Sequence, residues 1–442
     1  MLKQIGIVFF VILFISGCKK TNPNFQEEAA QSAYYQASVK NLTDILVHDI
    51  FSPPVASRNY VYPCIAGYEV ARYMDPKYKS LEGQIAHIPE LPKPIENEIY
   101  CYPLASIVAF NLTAKKFIFS EDSITIFYDE MMKKFDDVQM PDDVKQRSIA
   151  FGTEMSEVIK KWADGDSYAQ TRSDPKFTVT EDKNRWRPTA PAYMDGIEPS
   201  WSKIRPLVMD SAQQFKPIGP TTFSTAKDSK FYKEAYEVYE VGKKLSPEQD
   251  EIARFWDCNP YKMNVIGHVM HATKKITPGG HWMEIAGIAA RKDKADFVKT
   301  TYAYLMTSLG LFDGFISCWD EKYRSNLVRP ETYINEHIDE NWTPLLQTPP
   351  FPEHTSGHSV VSGAASTLLT NVFGDNFAFS DSTELEFGLP VRNFSSFNKA
   401  AEEAAISRLY GGIHYMPAIE YGVPEGRQIG GHIISKIKLL EQ

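Results

Sequence analysis

Residues 351–366, FPEHTSGHSVVSGAAS, decide how the chain is read. Pro349, Pro350 and Pro352 keep the backbone out of helix just before the Ser-Gly-His. Thr355 or Ser356 can cap a helix that runs through small and apolar residues to about Phe373, where Gly374 can stop it. Ser356, Gly357 and His358 then place a hydroxyl, a bare backbone N–H and an imidazole at the positive end of a helix, which suits a tetrahedral anion. An ordinary capped helix with a surface histidine would look the same. Two other segments carry the argument further.

The first is KYRSNLVRP, residues 322–330. Lys322 and Arg329 stand seven apart, two helical turns, so both fall on one face of a helix that Pro330 is expected to end. The second is SRLYGGIH, residues 407–414. Small residues from 398 to 408 read as a helix, Gly411 and Gly412 break it, and His414 returns over Arg408. A charged stripe and a helix end account for either segment alone. Together the three supply two Arg, one Lys, a Ser hydroxyl, a Gly N–H and two His. That is an inventory for holding an oxyanion and working on its central atom: forked Arg donors for oxygen pairs, a Lys point charge, one imidazole on the centre and one for protons.

The order K-x6-R-P, S-G-H, S-R-x3-G-x-H resembles the signature of the superfamily of type 2 phosphatidic acid phosphatases and vanadium-dependent haloperoxidases. The match covers residues 319–414. Weaker similarity to the soluble bacterial haloperoxidase-like branch reaches back through 278–282 and 253–256 to the 186–201 loop. The resemblance implies that Lys322, Arg329, Ser356, the Gly357 N–H and Arg408 hold equatorial oxygens. It makes His358 the acid/base, and His414 the vanadium ligand or the phosphorus nucleophile. It implies vanadate as cofactor for a haloperoxidase, with halide and hydrogen peroxide as substrates. The alternative in the same site is a periplasmic acid phosphatase working through a phosphohistidine, with no cofactor. A third reading is a lipoprotein that binds phosphate-bearing ligands without turnover. Trp319 and Phe351 match places where chloroperoxidases of the family carry Trp and Phe, and would line a halide or substrate pocket.

One departure bears on all three readings. The family pattern places Asp four residues after the second His, to orient its ring; here that position is Ala418. Glu420, a remote carboxylate or a backbone carbonyl would have to substitute. Thr355 replaces the usual Pro before Ser-Gly-His, a milder change.

Working outward, the 442 residues read as an all-α protein. An N-terminal helical region, 31–245, packs on a phosphatase/haloperoxidase-type helical bundle, 246–442. Apolar residues recur at helical spacing in 29–49, 61–74, 104–119, 123–135 and 142–163. Residues 261–273 are expected to continue helical, and one helix is expected from 283 to about 311. The Pro- and Trp-rich stretch 185–206 is expected to wall the site entrance. His268 and His271 stand one helical turn apart, but with His281 they lack the Glu of a zinc motif.

The formal charge of −9 argues against a nucleic-acid partner. Residues 1–17 read as a lipoprotein signal peptide, since Ile15-Ser16-Gly17-Cys18 resembles a lipobox. Cys18 would then carry the lipid, with 18–30 as a tether. Lys19 and Lys20 stand where a retention signal would have Asp, which favours the outer membrane, facing the periplasm. Beyond this anchor no membrane contact is expected, and no later segment reaches spanning length. Cys64, Cys101, Cys258 and Cys318 lack metal-ligand spacing. They read as buried thiols, with Cys64–Cys101 the candidate pair if a disulfide forms.

Overall fold

The computed structural model describes residues 21–85, 87–266 and 268–441. Residues 1–17, read above as a signal peptide, and Cys18 lie outside the described residues.

Helices make up most of the regular structure. The first part holds α1 (Phe25–Ala29), α2 (Ser32–His48), α3 (Pro53–Ala71), α4 (Tyr102–Lys115), α5 (Glu121–Asp137), α6 (Asp142–Ala163) and α7 (Tyr168–Thr171). After a long irregular stretch come α8 (Lys230–Lys243), α9 (Pro247–Phe255), the hairpin β1 (Lys262–Ile266) and β2 (Val269–Thr273), α10 (Pro278–Asp293), α11 (Phe297–Ser325) and α12 (Pro330–His337). The site-bearing part is α13 (Gly357–Phe373), a small hairpin of β3 (Phe379–Asp381) and β4 (Arg392–Phe394), α14 (Phe397–Tyr410) and α15 (Met416–Lys436).

Every residue of α3 is buried. It lies against α4 on one side and α11 on another, so one apolar core runs from the first helices into the bundle. The stretch read as a tether already packs by Asn22, whose N–H donates to Gln139 O at 2.9 Å, and Ala29 is fully buried. Among the described residues no helix is long and apolar enough to cross a membrane. The four cysteines after Cys18 are free and buried, so Cys64 and Cys101 do not pair.

Three local expectations are corrected. Residues 262–273 form an antiparallel hairpin, pairing Ile266 with Val269, instead of a helix. Pro260 before it, β-branched Val265, Ile266 and Val269, and Gly267 between the strands outweigh the apolar spacing. The helix expected from 283 to 311 is two helices. Lys294 turns left-handed (φ 54°), and Asp296 caps α11 by accepting from Lys299 N–H at 2.7 Å. Pro330 opens a helix; it does not end one. Left-handed Asn326 (φ 48°) closes α11, and Pro330 is the first residue of α12, where a missing N–H costs nothing. Lys322 and Arg329 therefore meet across a loop, not along a helix face.

The packing that places the site is α13 on α15. Small residues let the two backbones touch: a Cβ on Gly363 would sit 2.6 Å from Val423 O, and one on Gly426 would land on Val360 O. Gly426→Ala must push the helices apart, and is expected to lose about 1–3 kcal/mol or more in denaturant unfolding. Gly431→Ala, on the same helix but facing open space, should be neutral or slightly stabilising. Equal losses from the two would refute the close-packing account.

Candidate functional site

Ser356 caps α13, accepting from Ser359 N–H at 3.3 Å, and its own N–H donates to Ala418 O at 3.0 Å. The first helical N–H groups, Gly357's among them, have no partner within the helix. The 351–358 loop is thereby held against the start of α15, just after His414.

His414 is buried and its ring is fixed. Nδ1 donates to Glu353 Oε1 at 2.8 Å, and the same oxygen accepts the Tyr415 N–H at 3.0 Å. Glu353 is the carboxylate that Ala418 cannot supply, and it comes from the oxyanion loop itself. Its contribution was missed because it precedes His414 by 61 residues. The available signal was that it is the one acid in residues 351–366. With Nδ1–H committed, Nε2 carries the lone pair and faces Arg329 Nη1 at 3.2 Å.

Arg329 is fully buried. Nε donates to Phe351 O at 2.9 Å and Nη1 to Ile413 O at 2.8 Å, while Nη2 has no partner. Lys322, also fully buried, donates to the carbonyls of Pro352 (3.2 Å), Glu353 (3.0 Å) and Thr355. It therefore ties down the loop as well as supplying charge. Arg408 Nη1 donates to Trp256 O at 2.7 Å, and its Nε has no partner. The His358 ring is hydrogen-bonded to the same Trp256 carbonyl, and its Nε2 is unpartnered. The five expected oxyanion and imidazole groups on 322–358, with Arg408 and His414, thus converge. Gly357, His358, Arg408 and His414 line one cavity; Lys322, Arg329 and Ser356 are not among its lining residues.

Electrostatics follow from burial. Burial first, then the neighbouring cations, hold His414 and His358 well below the ordinary imidazole range, so both rings are neutral. Burial lowers Lys322 to about 8 and Arg329 to about 10. Burial pushes Glu353 up to about 7 against the pull of Arg329 and Lys322. Lys322 feels the buried carboxyls of Glu353 and Glu425, Arg329 feels Glu353 and Arg408 feels Asp257, yet donors on both arginines stay unpaired among the described residues, which suits an anion. A tetrahedral oxyanion such as vanadate fits this donor set.

Trp319 and Phe351 pack at 5.0 Å between ring centroids and both line the cavity, with Pro53, Pro260, Tyr261 and Phe315. The 185–206 loop contributes none of the lining residues. It buttresses the wall from behind: Ile197 O accepts from Trp319 Nε1 at 3.1 Å and from Tyr323 OH at 2.5 Å. Arg185 Nη1 donates to Ser325 O at 2.8 Å, and Trp186 is a buried packing residue. His281 is fully buried, whereas His268 is exposed; the side chain of His271 lies outside the described residues.

Residues 302–441 match the family model for the second helical-bundle domain of vanadium chloroperoxidase. No curated protein matches the chain significantly. Among solved structures, a bacterial vanadium-dependent iodoperoxidase is 52% identical, with a TM-score of 0.87, over 93% of this chain and 98% of that one. A holo-type bacterial vanadium-dependent chloroperoxidase shares the fold at 13% identity and a TM-score of 0.67, over 96% of this chain and 98% of that one. The fold, the convergent oxyanion donors and the iodoperoxidase identity make the chain a member of the vanadium-dependent haloperoxidases.

Proposed function

We propose that this haloperoxidase takes iodide as its halide, and that His414 is its vanadium ligand. The observation that carries the ligand assignment is the Glu353–His414 pair, which leaves a neutral Nε2 lone pair inside a cage of buried cations. Iodide is supported by the similarity to the iodoperoxidase. It is supported too by the apolar Trp319, Phe351 and Phe315 wall, which costs least to a large, weakly hydrated anion. Vanadate, when bound, supplies the Lewis-acid centre that activates hydrogen peroxide toward halide.

The chain's own residues do the rest. His414 Nε2 would hold the metal, while Arg329 Nη2, Arg408 Nε, the Gly357 N–H and the Ser356 hydroxyl would hold the oxygens. Lys322 fixes the loop and adds positive charge. His358, neutral and with Nε2 free, accepts a proton from entering peroxide and returns it to the departing oxygen. The phosphatase reading has no separate support. The non-catalytic reading loses its ground, because Glu353 fills the role left open by Ala418.

Protein lacking residues 1–18 should oxidise iodide faster than bromide, only with hydrogen peroxide and added orthovanadate. His414→Ala should abolish the activity, and His358→Ala should lower it by about a hundred- to ten-thousandfold. Hydrolysis of p-nitrophenyl phosphate without iodide oxidation would overturn the reading.

Orthovanadate affinity, measured by isothermal titration, should rise as pH passes upward through about 7, where Glu353 ionises and strengthens its hold on His414. It should fall beyond about 8, as Lys322 loses its proton. Glu353→Gln should remove the lower step; the wild-type to variant ratio cancels the anion's own ionisation. An unchanged ratio across that range would discount Glu353.

We further propose that Cys18 carries a lipid and anchors the protein at the outer membrane, facing the periplasm, on the strength of the lipobox-like sequence. Full-length protein should incorporate labelled palmitate and Cys18→Ser should not; equal labelling would exclude this anchor.

A further inference from the structure

We propose that Cys258, His281 and Glu384 form a divalent-metal site of the zinc class, separate from the oxyanion site. They come from three segments: the loop after α9, the second turn of α10, and the short turn after β3. All three side chains are buried. One ligand atom from each, Sγ, imidazole N and carboxylate O, lies within 4.8 Å of the others.

The spacing fits a metal better than it fits hydrogen bonds. His281 Nδ1 lies 3.5 Å from Cys258 Sγ and 3.2 Å from Glu384 Oε1. Tetrahedral zinc, with bonds of about 2.0–2.1 Å to N and O and about 2.3 Å to S, sets N···O edges near ~3.4 Å and N···S edges near ~3.5 Å. Glu384 Oε1 is buried and forms no well-aligned hydrogen bond among the described residues, so a second acceptor is aimed at the same point.

The second ring nitrogen is arranged as a metal ligand requires. His281 Nε2 lies 2.8 Å from Asp381 Oδ2, and Asp381 Oδ1 is itself held by Thr383 N–H at 3.0 Å. A carboxylate on the far nitrogen fixes the tautomer and turns the Nδ1 lone pair toward Cys258 and Glu384. The Trp256 ring stacks on the imidazole at 4.5 Å between centroids and restricts its rotation. Mixed sulfur, nitrogen and oxygen ligands suit zinc, and three protein ligands leave a fourth position for water. On binding, the Cys258 thiol gives up its proton and the thiolate takes the metal.

Such an ion would pin the β3 turn to α10 and the 256–260 loop. That loop carries the Trp256 carbonyl which receives Arg408 at 2.7 Å, and Cys258 itself lines the cavity. The ion would therefore help to place Arg408 without touching the oxyanion.

Untagged protein lacking residues 1–18, purified without chelator and dialysed, should retain about one zinc per chain by elemental analysis. Cobalt exchanged into the site should show sulfur-to-cobalt charge-transfer absorption. Cys258→Ala and Glu384→Gln should each lose the metal while keeping the wild-type circular dichroism, and Asp381→Asn should bind zinc about 10- to 100-fold more weakly. If a variant fails to fold, wild-type protein still decides: zinc should block modification of Cys258 by a thiol reagent, located by mass spectrometry. Wild-type protein that neither retains nor takes up zinc or cobalt would overturn the site, leaving His281 as a protonated partner of two carboxylates. So would metal content unchanged in Cys258→Ala.

Discussion

Three buried cations, flanked by the buried carboxyls of Glu353, Glu425 and Asp257, form the constraint on which the site depends. Lys322, Arg329 and Arg408 are each 2% exposed or less. Unpaired buried charge is costly, so the surroundings are arranged to offset it. Backbone carbonyls of residues 351–355 and 413 face Lys322 and Arg329, and the Trp256 carbonyl faces Arg408. These carbonyls satisfy donors without neutralising charge. The remaining positive potential is what an oxyanion would meet, and it adds to burial in keeping both imidazoles neutral.

The loop that supplies most of those carbonyls is also the loop that supplies Ser356, Gly357 and His358. Its position is fixed at two ends. Lys322 pulls it toward α11, and the backbone contact of α13 with α15 holds its other end beside His414. Glu353 couples the two by orienting the His414 ring from within the loop. Moving the loop would disturb donor positions, cation burial and ring orientation together. A preorganised site of this kind does little reorganising during reaction, which is where most of its stabilisation of developing charge arises.

Membership of the vanadium-dependent haloperoxidases and the local geometry agree on this site, in which Glu353 orients His414. The family pattern takes the ring-orienting carboxylate from four residues after His414. Here Ala418 offers only its carbonyl, to Ser356 N–H. The same role is met from the opposite direction in sequence, because the ring needs an acceptor at hydrogen-bond distance and not a particular chain position. The 185–206 stretch makes a related point. Its aromatic and proline content marks an ordered surface, but it supports Trp319 from behind while Pro53, Pro260 and Tyr261 line the cavity.

The sequence by itself determined the helical class, a cap at Thr355 or Ser356, the stop at Gly374 and the oxyanion inventory, since each follows from local propensity or spacing. The same local reasoning misplaced the 261–273 hairpin, the break at Lys294 and the role of Pro330, where a few turn-forming residues outweigh a longer apolar pattern. Only the tertiary structure decided that Lys322 and Arg329 meet across a loop, that Glu353 serves His414, and that His281 lies with Cys258, Asp381 and Glu384. Glu353 and His414 lie 61 residues apart, and His281 and Asp381 lie 100 apart. Periodicity reports which face of an element is apolar, but burial and packing decide which distant polar groups must satisfy one another.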